Sequence, residues 1–403
     1  MKKIINHLFY LAILFIVLIG CSTKKDTFIS RNTNAMSTKY NVLYNGNIAF
    51  DAAKKQLDDT YEDNFWERLP IEPLKVEEEV IPLPGQVINK NKEAQGFEKS
   101  EEKAVKGIQK HSMVIDEFER NKQIDEAYLL LGKSRYYLQR YIPALEAFTF
   151  GLENYPNANL YNETRIWKAK THIRLQNEEL AIETLDLVLK SLELSEEENE
   201  KANTAMAMAY TKMDSTHLVI DYLKKSTYYF SDINQSARNL FILGQIYREQ
   251  NKIDSSNMVF ESLTYMKKIP RKYKIHASLE RAKNYTAADS TSVIFYTLKE
   301  LIEDRDNREY LDELYYQAGL IEQKNENPEI AISYYDNSVF YNKSKPFQKS
   351  LSYEKLGDLY FDKTNFKIAG SYYDSVLQIK IDQNTKRVRR IIRKRESLND
   401  VIF

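Results

Sequence analysis

The chain has 403 residues, and its 58 Lys or Arg are balanced by 58 Asp or Glu, so the formal net charge of zero gives no global pull toward nucleic acid or an anionic membrane. Its 11 Gly and 9 Pro make about 5% of the residues against a usual combined share of ~12%, which excludes an all-β fold of many short strands and any collagen-like or low-complexity chain. One cysteine excludes an intrachain disulfide and a multi-cysteine metal site, while 29 Tyr and 18 Phe supply enough apolar surface for a large core.

The N-terminus accounts for the cysteine. Lys2 and Lys3 precede an apolar run over 8–19, which is too short to span a bilayer, since a membrane helix needs ~20 apolar residues. A basic start, a short apolar stretch and small residues before a cut site describe a secretory signal. Its end, Leu18-Ile19-Gly20-Cys21, resembles the bacterial lipobox, in which the Cys becomes the first mature residue and carries the lipid. Cys21 is therefore the expected lipidation site, on a signal peptide at 1–20. The covalent lipid on Cys21 is the one non-protein group expected, with no cofactor and no metal. Removal of Lys2 and Lys3 leaves 56 basic against 58 acidic residues. Ser22 follows the Cys instead of an Asp, which points to the outer membrane, with the periplasmic face expected. The polar stretch 21–36 reads as a flexible tether.

From Ser37 to Thr60 the pattern predicts one helix containing Gly46. Pro70, Pro73, Pro82 and Pro84 then mark a non-helical loop over about 69–96. Helix is predicted to resume near Phe97 and run to about Arg120. These two helices read as an irregular first pair over 37–120, with Gly46 and Ala104 as its small contacts.

Beyond residue 120 the chain repeats. Gly132, Ala169, Ala207, Gly244, Ala282, Gly319 and Gly357 recur at intervals of 37 and 38 residues. Twelve residues after each stand Ala144, Ala181, Val219, Ser256, Ile294, Ala331 and Ala369. Four further on stand Phe148, Leu185, Leu223, Phe260, Leu298, Tyr335 and Tyr373. With Tyr128, Tyr136, Gly151 and Pro156, this spacing fits the tetratricopeptide (TPR) pattern, in which small residues at positions 8 and 20 let helices A and B approach and a bulky residue at position 24 fills the gap. The fold class expected is all-α, a TPR helix-pair solenoid of about seven repeats over 121–385. A length suggesting two or three globular domains at ~150 residues each is then spent on one kind of unit, stacked because a single pair cannot bury its apolar stripe. The three or four residues beyond the usual period are placed in the turns between repeats. The fifth repeat is the weakest, with Ile294 where a small residue is expected and Arg281 at position 7. Tyr128, Tyr210, Tyr247, Tyr285, Tyr315, Tyr353 and Tyr360 fall at packing positions of A helices. Residues 386–403 read as a terminal amphipathic helix with Val388, Ile391, Ile392 and Leu398 on its apolar side and seven basic residues on its polar face.

The usual signatures of catalysis are absent: there is no GxGxxG, P-loop, HExxH or GxSxG. His111, His172, His217 and His276 are scattered over the array without a partner at i+4. The expectation is a non-enzymatic protein without a small-molecule substrate or nucleic acid partner. A TPR array binds through its concave side, lined by A-helix positions 2, 5, 9, 12 and 13. In the first repeat these are Glu126, Leu129, Lys133, Tyr136 and Tyr137. In the fourth they are Arg238, Phe241, Gln245, Arg248 and Glu249, and in the sixth they include Tyr316, Gln323 and Lys324. Mixed charge with aromatics suits an extended peptide or a partner helix.

Three stretches carry a further likeness. One is Cys21 to Arg31 after the lipobox. The second is Tyr40-Asn41-Val42-Leu43-Tyr44-Asn45-Gly46-Asn47 with Asp63-Asn64-Phe65-Trp66-Glu67-Arg68-Leu69-Pro70. The third is Gln109-Lys110-His111-Ser112-Met113 before Gln123 to Lys133. Together they resemble the SprE/PorW-type TPR lipoproteins of the Bacteroidota type IX secretion and gliding motility machinery. The resemblance is specific over about 21–156 and generic beyond. It implies an outer-membrane lipoprotein scaffold whose partners are protein components of the secretion or motility apparatus, with no catalytic residues to transfer. Members of that family run longer, so the function of a C-terminal region is not carried over. The alternatives are a SusD-like solute-binding lipoprotein, disfavoured by only two Trp residues, and an outer-membrane barrel assembly factor of TPR architecture.

Overall fold

The computed structural model describes residues 22–75, 92–191, 194–284, 292–380, 382 and 384–399. Cys21, the signal segment, Pro82, Pro84 and Tyr285 lie outside them. The chain divides into two compact units, Met1–Asp232 and Ile233–Phe403.

The first unit opens on a helix where a tether was expected. Helix α1 (Phe28–Ser37) begins at Thr27, whose side chain caps it by accepting from the Ser30 amide. It continues through a π-helical turn (Thr38–Leu43) into α2 (Tyr44–Thr60). The π turn has a visible cause. Buried Ser30, Asn34, Thr38, Val42, Gly46 and Phe50 recur every four residues. In an α-helix four residues turn about 400°, so such a row drifts around the axis. The wider turn, closed by Tyr44 N–H donating to Lys39 O, unwinds the drift and keeps the row on one face. The polar members of the row are satisfied: Thr38 Oγ1 donates to Asn34 O at 2.8 Å, and the Asn121 side chain donates to Thr38 Oγ1 at 2.9 Å. Asn34 Oδ1 meets His111 Nδ1 at 3.1 Å. A tether lacks such buried partners.

Helix α3 (Lys92–His111) starts five residues earlier than expected and packs on α2. Glycine permits the approach: a Cβ on Gly96 would stand 2.7 Å from Ala53 Cβ, and one on Gly46 would stand 2.8 Å from Leu130 Cδ2. Ala104 is fully buried in the same core. The helix does not reach Arg120. It gives way to a short hairpin, β1 (Val114–Ile115) paired antiparallel with β2 (Phe118–Glu119), turned by Asp116 (φ 51°) and Glu117 (φ 68°). Two positive φ values at a two-residue loop are what the right-handed strand twist favours. Glu119 holds the hairpin by accepting from the Met113 and Asn121 amides at 2.7 and 2.8 Å.

Three helix pairs follow in this unit: α4 (Ile124–Tyr137) with α5 (Tyr141–Asn154), α6 (Tyr161–Arg174) with α7 (Glu178–Leu189), and α8 (Glu196–Lys212) with α9 (Thr216–Lys225). The second unit has α10 (Ile233–Glu249) with α11 (Ile253–Tyr265), α12 (Arg271–Lys283) with α13 (Ser292–Glu303), α14 (Leu311–Lys324) with α15 (Pro328–Tyr341), and α16 (Pro346–Asp362) with α17 (Phe366–Gln378). Helix α18 (Lys386–Ser397) ends it, with Val388, Ile391 and Leu398 buried, the last two in a core with α17.

The repeat register holds at the atomic level. The ring at position 24 fills the space a side chain at position 8 would need: a Cβ on Gly244 would lie 2.7 Å from Phe260, and one on Gly319 or Gly357 would lie 2.6 Å from Tyr335 or Tyr373. Gly132 meets Phe148 in the same way. Ala144, Ala181, Val219, Ser256, Ala331 and Ala369 are buried at position 20. Ser256 adds a bond there, donating to Gly244 O at 3.0 Å. The fifth pair forms despite its weak pattern, with half-buried Ile294 in the α12–α14 core. This is the all-α TPR fold, and the extra residues of the period do lie between repeats, as at 155–160 and 304–310.

Among the described residues, the turns inside six of the pairs share a feature. Gln139, Gln176, Asp214, Asn251, Glu326 and Thr364 each have a left-handed backbone and each stands seven residues after position 8. The next residue then donates its amide back to the carbonyl five before it, as in Arg140 to Arg135, Ser215 to Tyr210 and Asn365 to Tyr360. That 6→1 bond is the Schellman closure of a helix C-terminus.

Of the packing tyrosines, Tyr247 is buried, and Tyr128, Tyr210, Tyr315, Tyr353 and Tyr360 lie half-buried among aromatic neighbours. Tyr128 stacks on Phe150 at 4.5 Å, Tyr210 on Tyr222 at 5.4 Å, Tyr315 on Tyr341 at 5.3 Å and Tyr360 on Tyr372 at 5.6 Å.

Candidate interaction surface

In the first repeat the expected groove residues are covered by the chain itself. The segment 69–75 crosses α4 and α6, and Leu69, Ile71 and Leu74 are buried. Leu74 packs with Leu129, Tyr136 and Trp167. Glu72 reaches between the two helices: it accepts from the Tyr136 hydroxyl, from Lys170 Nζ at 2.7 Å and from Arg174. Arg174 Nε also donates to the Tyr136 oxygen at 3.0 Å, and Gln139 holds the segment's backbone by donating to Lys75 O at 3.0 Å. Burial by itself would raise the Glu72 pKa, but Lys170 and Arg174 overcome it and hold the carboxyl down to about 2. Burial pulls the Lys170 pKa the other way, below its usual value, so the ion pair stands because three donors converge on one carboxylate.

The other groove residues of this repeat are engaged too. Glu126 Oε1 accepts from Asn47 of α2 at 3.2 Å. Lys133 lies 5.1 Å from the Phe50 ring and 5.5 Å from the Trp167 ring, and it pairs with Glu163 at 3.4 Å. Tyr137 stacks on Phe97 at 4.9 Å. The structure buries Leu129 and Tyr136 under 69–75 and packs Tyr137 against α2 and α3.

The second unit has no such covering segment among its described residues, yet several expected groove residues are packing residues. Arg238 is buried and donates to the Tyr273 hydroxyl at 3.1 Å. Phe241 is buried edge-on to Phe260 at 5.2 Å, and Gln245 is buried beside it in sequence register. Tyr316 is buried 5.6 Å from Tyr335. The positions reaching solvent lie at the ends of the A helices. Arg248 is half-buried against Glu280, Glu249 is exposed, Gln323 accepts from Tyr335 at 3.0 Å, and Lys324 is exposed with its ammonium 3.5 Å from Lys283 O.

The A helices of this unit are joined by ion pairs. Glu313 meets His276 at 2.9 Å and Lys345 at 2.5 Å. Burial would raise its pKa, but His276 and Lys345 bring it down to about 2. Lys283 contacts Glu280 at 2.5 Å, and burial with the Arg248 charge nearby lowers its pKa to about 7. The basic run of α18 is absorbed in the same way. Arg387 and Arg390 fork onto Glu354 at 2.7 and 2.5 Å, Lys394 onto Asp358 at 2.6 Å, and Arg395 onto Asp374 at 2.7 Å.

The sequence reading missed Glu72, Lys170 and Arg174. Lys170 and Arg174 stand at positions 9 and 13 of the second repeat, so a scan of that repeat would have found them. Nothing local could have matched them to Glu72. Among the described residues no group of three His, Cys, Asp or Glu stands close enough to hold a metal ion, and no helix is long and apolar enough to cross a membrane.

No protein-family model matches the chain, and no curated protein matches it. Among solved structures it is similar to a tetratricopeptide repeat protein from Parabacteroides merdae, at 12% identity and a TM-score of 0.43 over 68% of this chain and 98% of that one. It is also similar to the human IFIT1 dimer with m7Gppp-AAAA, at 13% identity and a TM-score of 0.39 over 77% and 71% of the two chains. A third is the TPR2AB domain of yeast Sti1 in complex with pHSP90, at 14% identity and a TM-score of 0.28 over 68% and 98%.

Proposed function

We propose that this protein is a non-catalytic scaffold that binds non-helical protein segments, anchored to the outer membrane by a lipid on Cys21 and facing the periplasm. The observation that carries the binding role is the seat of 69–75. There a TPR face takes up a turned, non-helical stretch of chain, closed by the Leu74 amide donating to Glu72 O at 2.9 Å, through one carboxylate, one leucine and one backbone carbonyl. That is how a peptide is read: polar groups fix register and an apolar side chain fills a pocket. The motifs at Cys21–Arg31, 40–47, 63–70, 109–113 and 123–133 support placing the scaffold in type IX secretion and gliding motility, with components of that apparatus as partners.

A clean deletion of the gene is expected to abolish secretion of type IX substrates and spreading on agar. Normal secretion in the deletion strain overturns the assignment. Crosslinking in intact cells, followed by identification of the co-purified proteins, names the partners.

A further inference from the structure

The chain just after Cys21 is pinned. Ser30 Oγ donates to Ser22 O, the Lys24 amide donates to Ser22 Oγ at 3.3 Å, and the Thr27 amide donates to Lys25 O at 3.0 Å. Residues 22–27 are thus folded back on the first turn of α1. Asp26 fastens this turn to the hairpin, meeting Arg31 at 2.8 Å and Arg120 at 3.4 Å. The Arg120 guanidinium in turn lies 5.7 Å from the Phe118 ring. Two segments far apart in sequence therefore meet at one end of the first unit, and both expose large apolar side chains there. Phe28 is 79% exposed, Ile29 52%, Val114 65% and Phe118 66%. Phe28, Ile29 and Phe118 stand on the two segments that Asp26 joins through Arg120, whereas Val114, cross-strand from Glu119, lies on the other side of the hairpin from Phe118. Large apolar side chains gathered in this way call for a partner.

We propose that this end of the first unit is a membrane-contacting face, with Phe28, Ile29 and Phe118 seated in the headgroup boundary of the bilayer that holds the lipid on Cys21. The proposal rests on the lipidation reading above. The occupant follows from where the anchor lies. Consecutive Cα atoms are ~3.8 Å apart, so Cys21 is one residue step from the pinned Ser22. A lipid there leaves no length of chain to hold the unit away from the membrane. The apolar ends of α1 and the hairpin then meet the interface, where aromatic and aliphatic side chains are favourably buried and the exposed Lys24 and Lys25 face headgroup phosphates.

The test uses the full-length lipidated protein in phosphatidylethanolamine–phosphatidylglycerol vesicles. Nitroxide labels are attached at Phe28→Cys, Phe118→Cys and Ile142→Cys, one per protein, since an acylated Cys21 does not react. Ile142 is exposed and follows the far end of α4 from the hairpin, so it serves as the aqueous reference. The ratio of oxygen to nickel-complex accessibility is expected to be about threefold or more higher at positions 28 and 118 than at 142. Intact mass of the same samples reports acylation. Acyl mass on Cys21 with equal ratios at all three sites overturns the membrane face and leaves the anchor standing. Absence of acyl mass overturns the anchor and the face with it.

Discussion

Both units pair charged side chains of neighbouring A helices, as Lys133 with Glu163 and His276 with Glu313, and the first unit adds a second way of neutralising charge. In Ile233–Phe403 the partner comes from the adjacent repeat: His276 meets Glu313 37 residues on, and Arg387 meets Glu354 33 residues back. In Met1–Asp232 the carboxylate on Lys170 and Arg174 comes from 98 and 102 residues earlier, on a segment that belongs to no repeat. The first arrangement ties one helix pair to the next. The second ties an inserted non-helical segment across a face that would otherwise be open. A register position therefore says which way a side chain points, and only the tertiary structure says whether that direction leads to solvent.

The strongest way to break this contrast is to remove each carboxylate in turn. Glu72→Gln leaves two cations buried beside a neutral amide, and loss of one partner of a buried pair costs about 3–5 kcal/mol. Glu313→Gln should cost a similar amount, since it too is buried, paired with the Lys345 ammonium and bonded to the His276 ring. The consequences should differ. Glu72→Gln is expected to free 69–75, giving rapid proteolysis within it and a change in Trp167 fluorescence as Leu74 leaves the ring. Glu313→Gln should lower stability without a new cleavage site. If the segment of the Glu72→Gln variant resists protease as well as the parent, Leu74 and its apolar neighbours hold it without the ion pair.

Acid should act on the same two sites. A carboxyl held at about 2 instead of the usual 4.5 contributes stability that is complete above the unfolded value and is lost as pH falls through the window down to about 2. Each is worth about 3 kcal/mol by linkage. Hydrogen exchange between pH 5 and pH 2 should therefore show both units weakening. Glu72→Gln should flatten the slope in the first unit and leave that of the second unchanged; equal flattening in both would mean the shift arises elsewhere.

The feature common to both units is the dry contact of positions 8 and 24. Gly132→Leu in the first and Gly357→Leu in the second should each cost about 1–3 kcal/mol by overpacking against Phe148 and Tyr373. An unchanged melting temperature in either would break the shared register.

That register was legible because it is written in residue size. Small residues at positions 8 and 20 and bulky ones at 24 mark the contact whatever surrounds it, so Gly132, Ala144 and Phe148 could be placed from spacing alone. The concave residues were legible only as directions. Tyr136 and Arg238 were expected in an open groove, but both are buried, because their partners Glu72 and Tyr273 lie 64 and 35 residues away. The N-terminal helix was misread as a tether because its buried row is polar and recurs every four residues, a period no α-helical template matches. The hairpin at 114–119 was read as helix because its turn uses Asp116 and Glu117, and neither is the glycine that marks such turns in sequence.

The same blindness to left-handed turns without glycine leads to the smallest predicted effect. The six intra-repeat turns place Gln139, Gln176, Asp214, Asn251, Glu326 and Thr364 at φ of 54° to 63°. A Cβ in that region is costly for most residues, least so for Asn, whose short polar side chain tolerates it, and most for a β-branched residue. Glycine removes the strain but adds disorder to the unfolded chain, so the net gain is the difference. Thr364→Gly in the second unit should therefore stabilise by about 1 kcal/mol, Gln176→Gly in the first by about half that, and Asn251→Gly by close to nothing. Urea denaturation of the three variants resolves the order. Because the turns are built alike in both units, the ranking should follow the side chain and ignore the unit. An equal gain at Asn251 and Thr364 would show that the Schellman bond, not the Cβ, sets the cost of the turn.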